Sequence, residues 1–205
     1  MKCAEMTIAR FLEALASPDP TPGGGTAAAM AGAMGTGLLV MVTGLAKSNT
    51  NSDAEKAALA AARQALQPLI PTLTELADAD AAAFDQVMNA YRLPKATDDD
   101  KAARSAAIQA ALQGATTVPL QTLRACAAAM AHAATVAASG NRSAVSDVGV
   151  AIGLLEAAAA GAEANVRINL ASVRDLKFTS AASDETGRLI SEVNRQAAAA
   201  RLRLV

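Results

Sequence analysis

The chain holds 205 residues, 52% of them hydrophobic but only 2% aromatic, with 18 basic and 19 acidic side chains and a net charge of −1. That balance argues against a nucleic-acid partner, which needs a basic surplus, and the length suits one domain, expected over residues 1–205. Alanine, leucine, valine and methionine supply most of the apolar content, so the expected architecture is all-α: a single-domain bundle of long, Ala-rich helices.

In chain order, the start Met1-Lys2-Cys3-Ala4-Glu5 carries no apolar run of the kind secretion needs. Cys3 and Cys126 stand far apart with no Cys-x-x-Cys pairing. The expected location is the cytoplasm. A first helix is expected over 5–16, ended by Ser17-Pro18-Asp19-Pro20.

Pro22-Gly23-Gly24-Gly25-Thr26 then opens a stretch with no charge before Lys47. Glycines let the backbone lie close to a ligand or another segment. A helix starting there turns unpaired N–H groups and its positive dipole end outward, a seat for a carboxylate or phosphate. Residues 24–46 are long enough to span a bilayer, yet Gly, Ala and Thr dominate them, and aromatic belts and basic flanks are lacking. Met30, Met34, Leu38, Met41 and Leu45 form an apolar row, and Gly25, Ala29, Gly32 and Thr36 a row of small residues. The expectation is a buried central helix, crossed closely along its small face, and no membrane partner.

Ser48-Asn49-Thr50-Asn51-Ser52 reads as a polar break, with Ser52 or Asp53 capping a helix toward Arg92 that is disturbed near Pro68 and Pro71. Within it Leu73, Leu76, Phe84, Val87, Met88 and Tyr91 recur at steps of three and four. Asp80 stands four residues after Leu76 and four before Phe84, so it falls on that stripe, whereas Asp78 and Asp85 project elsewhere. A carboxylate on a core-facing stripe needs a partner, a proton or a ligand. It is either a catalytic acid/base, or counter-charge to a cation, or a member of a structural ion pair. Tyr91 could stack on a flat ring or end the core stripe. Lys95, on the turn after Leu93-Pro94, could pair with an anion.

Asp98-Asp99-Asp100 favour another helix start. A bend or break is expected at Pro119, and a further helix to about residue 138. After Ser139-Gly140-Asn141, the stripe Val145, Val148, Ile152 and Leu155 marks a helix with Asp147 in its first turn. Asn165 and Asn169 share one face of it, able to bond a ligand's polar edge or another helix. A last helix is expected over 183–202. His132 is the only histidine, so a transition-metal site is not expected. The glycine run lacks the Gly-Lys-Ser/Thr ending of a P-loop.

Four segments together resemble one family. They are Pro20-Thr21-Pro22-Gly23-Gly24-Gly25-Thr26-Ala27-Ala28-Ala29, Asp78-Ala79-Asp80-Ala81-Ala82-Ala83-Phe84, Tyr91-Arg92-Leu93-Pro94-Lys95, and Gly140-Asn141 with Ser146-Asp147-Val148-Gly149-Val150 and Asn165-Val166-Arg167-Ile168-Asn169-Leu170. The combination is similar to the cyclodeaminase/cyclohydrolase family of folate enzymes. The resemblance implies an all-helical homodimer that uses a tetrahydrofolate derivative as substrate and no metal. It implies hydrolysis of 5,10-methenyltetrahydrofolate to 10-formyltetrahydrofolate, or the formiminotetrahydrofolate cyclodeaminase reaction that releases ammonia. It implies Asp80 as the catalytic residue, with Lys95 assisting. It leaves Gly23, Gly24, Gly25, Tyr91, Asn141, Asp147, Asn165 and Arg167 as candidates for binding substrate, with Arg92 and Arg142 beside Arg167 for the glutamate carboxylates. A non-enzymatic helical assembly module stays open as the contrasting class.

Overall fold

In a computed structural model, the structure describes residues 2–45 and 51–204, and every regular element among them is helical. The α-helices are α1 (Ile8–Ala16), α2 (Gly24–Gly44), α3 (Asp53–Leu66), α4 (Leu69–Arg92), α5 (Asp98–Met130), α6 (Ala133–Ser139), α7 (Val145–Leu170) and α8 (Leu176–Arg201). Short 3-10 turns at Cys3–Glu5 and Arg142–Ala144 complete the set.

The small-residue row of α2 explains the packing. Gly25, Ala29, Gly32 and Thr36 are all buried. A Cβ on Gly32 would lie 2.9 Å from Cys126 Sγ on α5, and one on Gly35 would lie 2.9 Å from the Ala151 carbonyl of α7. Without side chains at those points, α2 lies against α4, α5 and α7 at backbone distance. The apolar row has the opposite address. Met34 and Met41 are exposed, at 54% and 41%, while Met30 and Leu38 of that row are half-buried, so α2 buries its small face together with Leu39 and Val42 and leaves part of its apolar row outward. By length and composition α2 and the Arg142–Leu170 segment could each cross a membrane, and the α2 stretch is mostly buried within the bundle.

The break at 48–52 lies partly outside the described residues; Ser52 caps α3 in a reciprocal box with Glu55. The long helix expected up to Arg92 is interrupted at Gln67-Pro68 and resumes as α4, with Pro71 harmless in its first turn. The first helix starts later than expected, because Thr7 accepts from the Arg10 N–H and separates α1 from the 3-10 turn. The last starts earlier, because Asp175 accepts from the N–H groups of Lys177 and Phe178.

Pro119 neither ends nor divides α5, which runs on to Met130. A proline at 119 withholds the N–H that would bond the carbonyl of Ala115. That carbonyl accepts instead from Asn169 Nδ2 of α7, at 2.8 Å. The lost intrahelical bond is replaced across the helix pair. Ion pairs Arg124–Glu185 (2.7 Å) and Arg201–Glu156 tie α8 to α5 and α7.

Candidate active site

The α4 stripe buries Leu73, Leu76 and Ala77 and then carries Asp80 to the N-terminus of α2. Gly23 caps α2 without a side-chain hydrogen bond. Asp80 fills that role from another helix. Thr26 Oγ1 donates to Asp80 Oδ2 at 3.0 Å, and the Thr26 backbone N–H donates to the carboxylate as well. The seat that the glycine run offers an anion is thus taken by the chain's own carboxylate. Gly25 permits the approach: a Cβ there would lie 2.2 Å from Asp80 Oδ1.

Burial pushes the Asp80 carboxyl above the ordinary carboxylate value, while the two Thr26 donors pull against it. Among the described residues no Lys, Arg or His forms an ion pair with Asp80. The structural ion-pair alternative is therefore not what the fold builds. Asp78, which projects off the α4 stripe, is half-buried and accepts from the Cys3 N–H at 2.6 Å, holding the N-terminal segment to α4.

In front of Asp80 lies a cavity of about 270 Å³. The turn Gly23-Gly24-Gly25 forms one wall, Phe84 and Val87 of α4 another, Leu112 and Ala115 of α5 a third, and Asn165 and Asn169 of α7 close it. Asn165 Nδ2 donates to the Gly161 carbonyl at 2.8 Å, and Asn169 Nδ2 to the Ala115 carbonyl. A carbonyl oxygen can only accept, so both amide NH2 groups are engaged with backbone, leaving each Oδ1 as an acceptor for a ligand N–H. The site offers one carboxylate, two amide acceptors and an apolar slot: a fit for a flat, nitrogen-rich ring bearing positive charge.

The structure does not bring all the sequence candidates together. Tyr91 and Lys95 line a neighbouring cavity that shares Leu112 with this one. Tyr91 is exposed rather than ending a core stripe, and the Arg104 guanidinium sits 5.7 Å from its ring centroid. Asn141 accepts from the Ser143 N–H at the 3-10 turn before α7, and Asp147 lies in the first turn of that helix. Eighteen helical residues, roughly 27 Å of rise, separate Asp147 from Asn165. Arg167 is exposed and paired with Glu163 at 2.7 Å; Arg92 donates to Asn89, and Arg142 is exposed. None of these last five lines the Asp80 cavity. Among the described residues no group of three or more His, Cys, Asp or Glu could hold a metal ion.

A family model described as formiminotransferase-cyclodeaminase matches residues 7–188, which include every residue lining the Asp80 cavity. This chain belongs to the formiminotransferase-cyclodeaminase family. Among its relatives, a methenyltetrahydrofolate cyclohydrolase of Methylorubrum extorquens is 42% identical over 91% of this chain and 89% of its own length. A formimidoyltransferase-cyclodeaminase of Sus scrofa is 34% identical over 92% of this chain, which spans only 35% of that longer protein. The crystal structure of a formiminotetrahydrofolate cyclodeaminase from Thermotoga maritima superposes with a TM-score of 0.87 over 98% of this chain and 96% of its own, at 24% identity, and so shares the fold.

Within this family member, several contributors to the site lie outside the sequence candidates, Thr26, Leu112 and Ala115 among them. Thr26 closes the glycine motif, and its position one turn into a helix marks it as a donor to whatever sits at that terminus. Leu112 and Ala115 carry no signal, since their place in the wall depends on how α5 meets α7.

Proposed function

We propose that this chain hydrolyses 5,10-methenyltetrahydrofolate to 10-formyltetrahydrofolate. The observation that carries the reading is Asp80, a half-buried carboxylate fixed by Thr26 against the first turn of α2 with no basic partner, facing a ring-sized cavity. Near identity of extent with the Methylorubrum cyclohydrolase supports the same choice of reaction.

The methenyl bridge between N5 and N10 is an amidinium cation. In its carboxylate form Asp80 faces that charge and favours its binding. A water between carboxylate and bridge carbon loses a proton to Asp80 as its oxygen bonds the carbon. The tetrahedral carbon then releases N5, which keeps the bonding pair and takes the proton held by Asp80, while the hydroxyl gives its own proton to solvent and becomes the carbonyl of the formyl group on N10. One proton is released for each water consumed. Asn165 and Asn169 accept from ring N–H groups and hold the bridge over Asp80.

Similarity to the animal formimidoyltransferase-cyclodeaminases favours a second reading, in which N10 attacks a formimino carbon and ammonia leaves. Two assays decide. Loss of the methenyl chromophore on adding the protein is the expected result, with ammonia release from the 5-formimino compound slower; the reverse order overturns the hydrolase assignment, and silence in both removes the enzymatic reading in favour of a helical assembly module.

We also propose a cytoplasmic homodimer. α2 carries no charged side chain, and exposed Met34 and Met41, with exposed Val150 on α7, are apolar surface suited to a second copy. Light scattering should return twice the 20.6 kDa chain mass; a monomeric mass at working concentration rejects the dimer.

A further inference from the structure

The N-terminal segment leaves the bundle and returns to it within one turn of α4. At one end the Cys3 N–H donates to Asp78 Oδ1 at 2.6 Å, and the 3-10 turn Cys3–Glu5 packs on α4. At the other end the Gly23-Gly24-Gly25 turn reaches Asp80. Asp78 and Asp80 stand two residues apart, and over that step a helix rises about 3 Å and turns about 200°. The strap from Cys3 to Gly23 therefore begins on one side of α4 and ends on the other. Asp78 serves the 3-10 turn as Asp80 serves α2. Lys2 caps that turn without a side-chain hydrogen bond, and the acceptor for its first N–H comes from α4 instead.

Between its two roots little holds the strap. None of the residues of α1 is buried, and Ile8 and Leu12 are 78% and 58% exposed. A helix of nine residues without tertiary packing is marginal in water. The side-chain hydrogen bonds of Thr7, Ser17 and Asp19 stay within the strap. A cavity of about 310 Å³ is lined by strap residues alone, Arg10, Glu13 and Thr21 among them, so the strap arches around open space rather than packing into the bundle. Thr21 also lines the Asp80 cavity, beside Pro20. One wall of that cavity is thus the last stretch of a strap whose place is set at its ends.

We infer that Asp78 is a positioning residue for the reaction at Asp80: its bond to Cys3 holds the strap, and the strap holds Pro20 and Thr21 as a wall of the substrate cavity. The role needs an acceptor at position 78 and not a charge. Only its kinetic consequence rests on the folate reading above. When the strap is released, Asp80 keeps its contact with Thr26 of α2, so the chemical step survives while substrate is held less well.

The test compares Asp78→Ala, which has no acceptor, with Asp78→Asn, whose Oδ1 can still accept from Cys3. Without any substrate, alkylation of Cys3 by iodoacetamide, read by mass spectrometry, should be about tenfold or more faster in Asp78→Ala than in Asp78→Asn, because release of the strap exposes a thiol that is buried in the parent. Both replacements remove the charge beside that thiol, so the difference between them reports position, and fully buried Cys126 is the internal control. With 5,10-methenyltetrahydrofolate, Asp78→Ala should raise KM about tenfold and leave kcat within about threefold, while Asp78→Asn returns KM to near the parent value. Cys3→Pro removes the donor instead, at a first-turn position where proline is tolerated. It leaves every side chain of α4 in place and should reproduce the rise in KM even if Asp78→Ala fails to fold. Equal labelling of the two Asp78 variants, or a parental KM in both Asp78→Ala and Cys3→Pro, overturns the inference. A kcat in Asp78→Asn as low as that of Asp80→Asn overturns it too, since Asp78 would then act through its charge. A parent without turnover removes the reaction assignment, and the labelling comparison then decides the anchor alone.

Discussion

Asp80→Asn should lower turnover of 5,10-methenyltetrahydrofolate by about a hundredfold or more, the usual scale for losing a general base. The replacement keeps the side chain's size and can still accept from Thr26 Oγ1, so the fold has no reason to change. The same variant should be more stable than the parent at neutral pH, by on the order of 1 kcal/mol. The sign follows from burial. A carboxyl whose pKa is raised in the folded state favours folding below its unfolded pKa and loses that contribution as pH rises through the folded value. Once ionised, the parent holds a buried charge that the amide does not, so the variant's advantage should vanish in acid, where the carboxyl is protonated. Activity runs the other way, rising as Asp80 ionises. Thr26→Val removes a donor that favours the ionised form, so it should move the acid limb of the kcat/KM profile to higher pH, while Thr26→Ser keeps it in place. Near-normal turnover in folded Asp80→Asn rejects the base, and an unmoved acid limb in Thr26→Val rejects the coupling.

Gly25→Ala should cost a comparable factor by displacement alone. Gly25 has ordinary helical backbone, so alanine fits the chain and adds about 1 kcal/mol of helix propensity. Its Cβ, however, would sit 2.2 Å from Asp80 Oδ1 and 2.6 Å from Cγ. The carboxylate must rotate off its Thr26 donors, and a shift on the order of 1 Å in a reacting group costs about a hundredfold. Steady-state kinetics beside a thermal melt separates this from unfolding: turnover falls while the melting temperature holds. Gly37→Ala is the control, since a Cβ there meets nothing within 4 Å. Equal activity in the two variants would mean that contact at Gly25 does not govern the position of Asp80.

Local periodicity alone makes Asp80 legible, because its place on the α4 stripe depends only on spacing to Leu76 and Phe84. The small face of α2 is legible for the same reason. The glycine turn reads as an anion seat and is one, yet the anion is Asp80, and finding that requires knowing that α4 ends its buried stretch opposite α2. Asn141, Asp147 and Arg167 share a helix or its entry with Asn165, and sequence proximity suggests a common site; helical rise carries the first two to the other end of α7, and helical rotation turns Arg167 outward. Lys95 sits close in sequence to Tyr91, and both fall in the neighbouring cavity because the α4 stripe continues beyond Val87. The break expected at Pro119 is absent because Asn169 makes up the missing bond, and a compensation about fifty residues away leaves no local mark.

That replacement makes Pro119 and Asn169 a linked pair. Exchange Asn169 alone for an apolar residue, and the Ala115 oxygen is orphaned in the wall of the Asp80 cavity. Exchange Pro119 alone, and the restored amide competes for the oxygen to which Asn169 Nδ2 donates. A protein engineer transplanting this cavity into another helical scaffold has to carry both positions or neither.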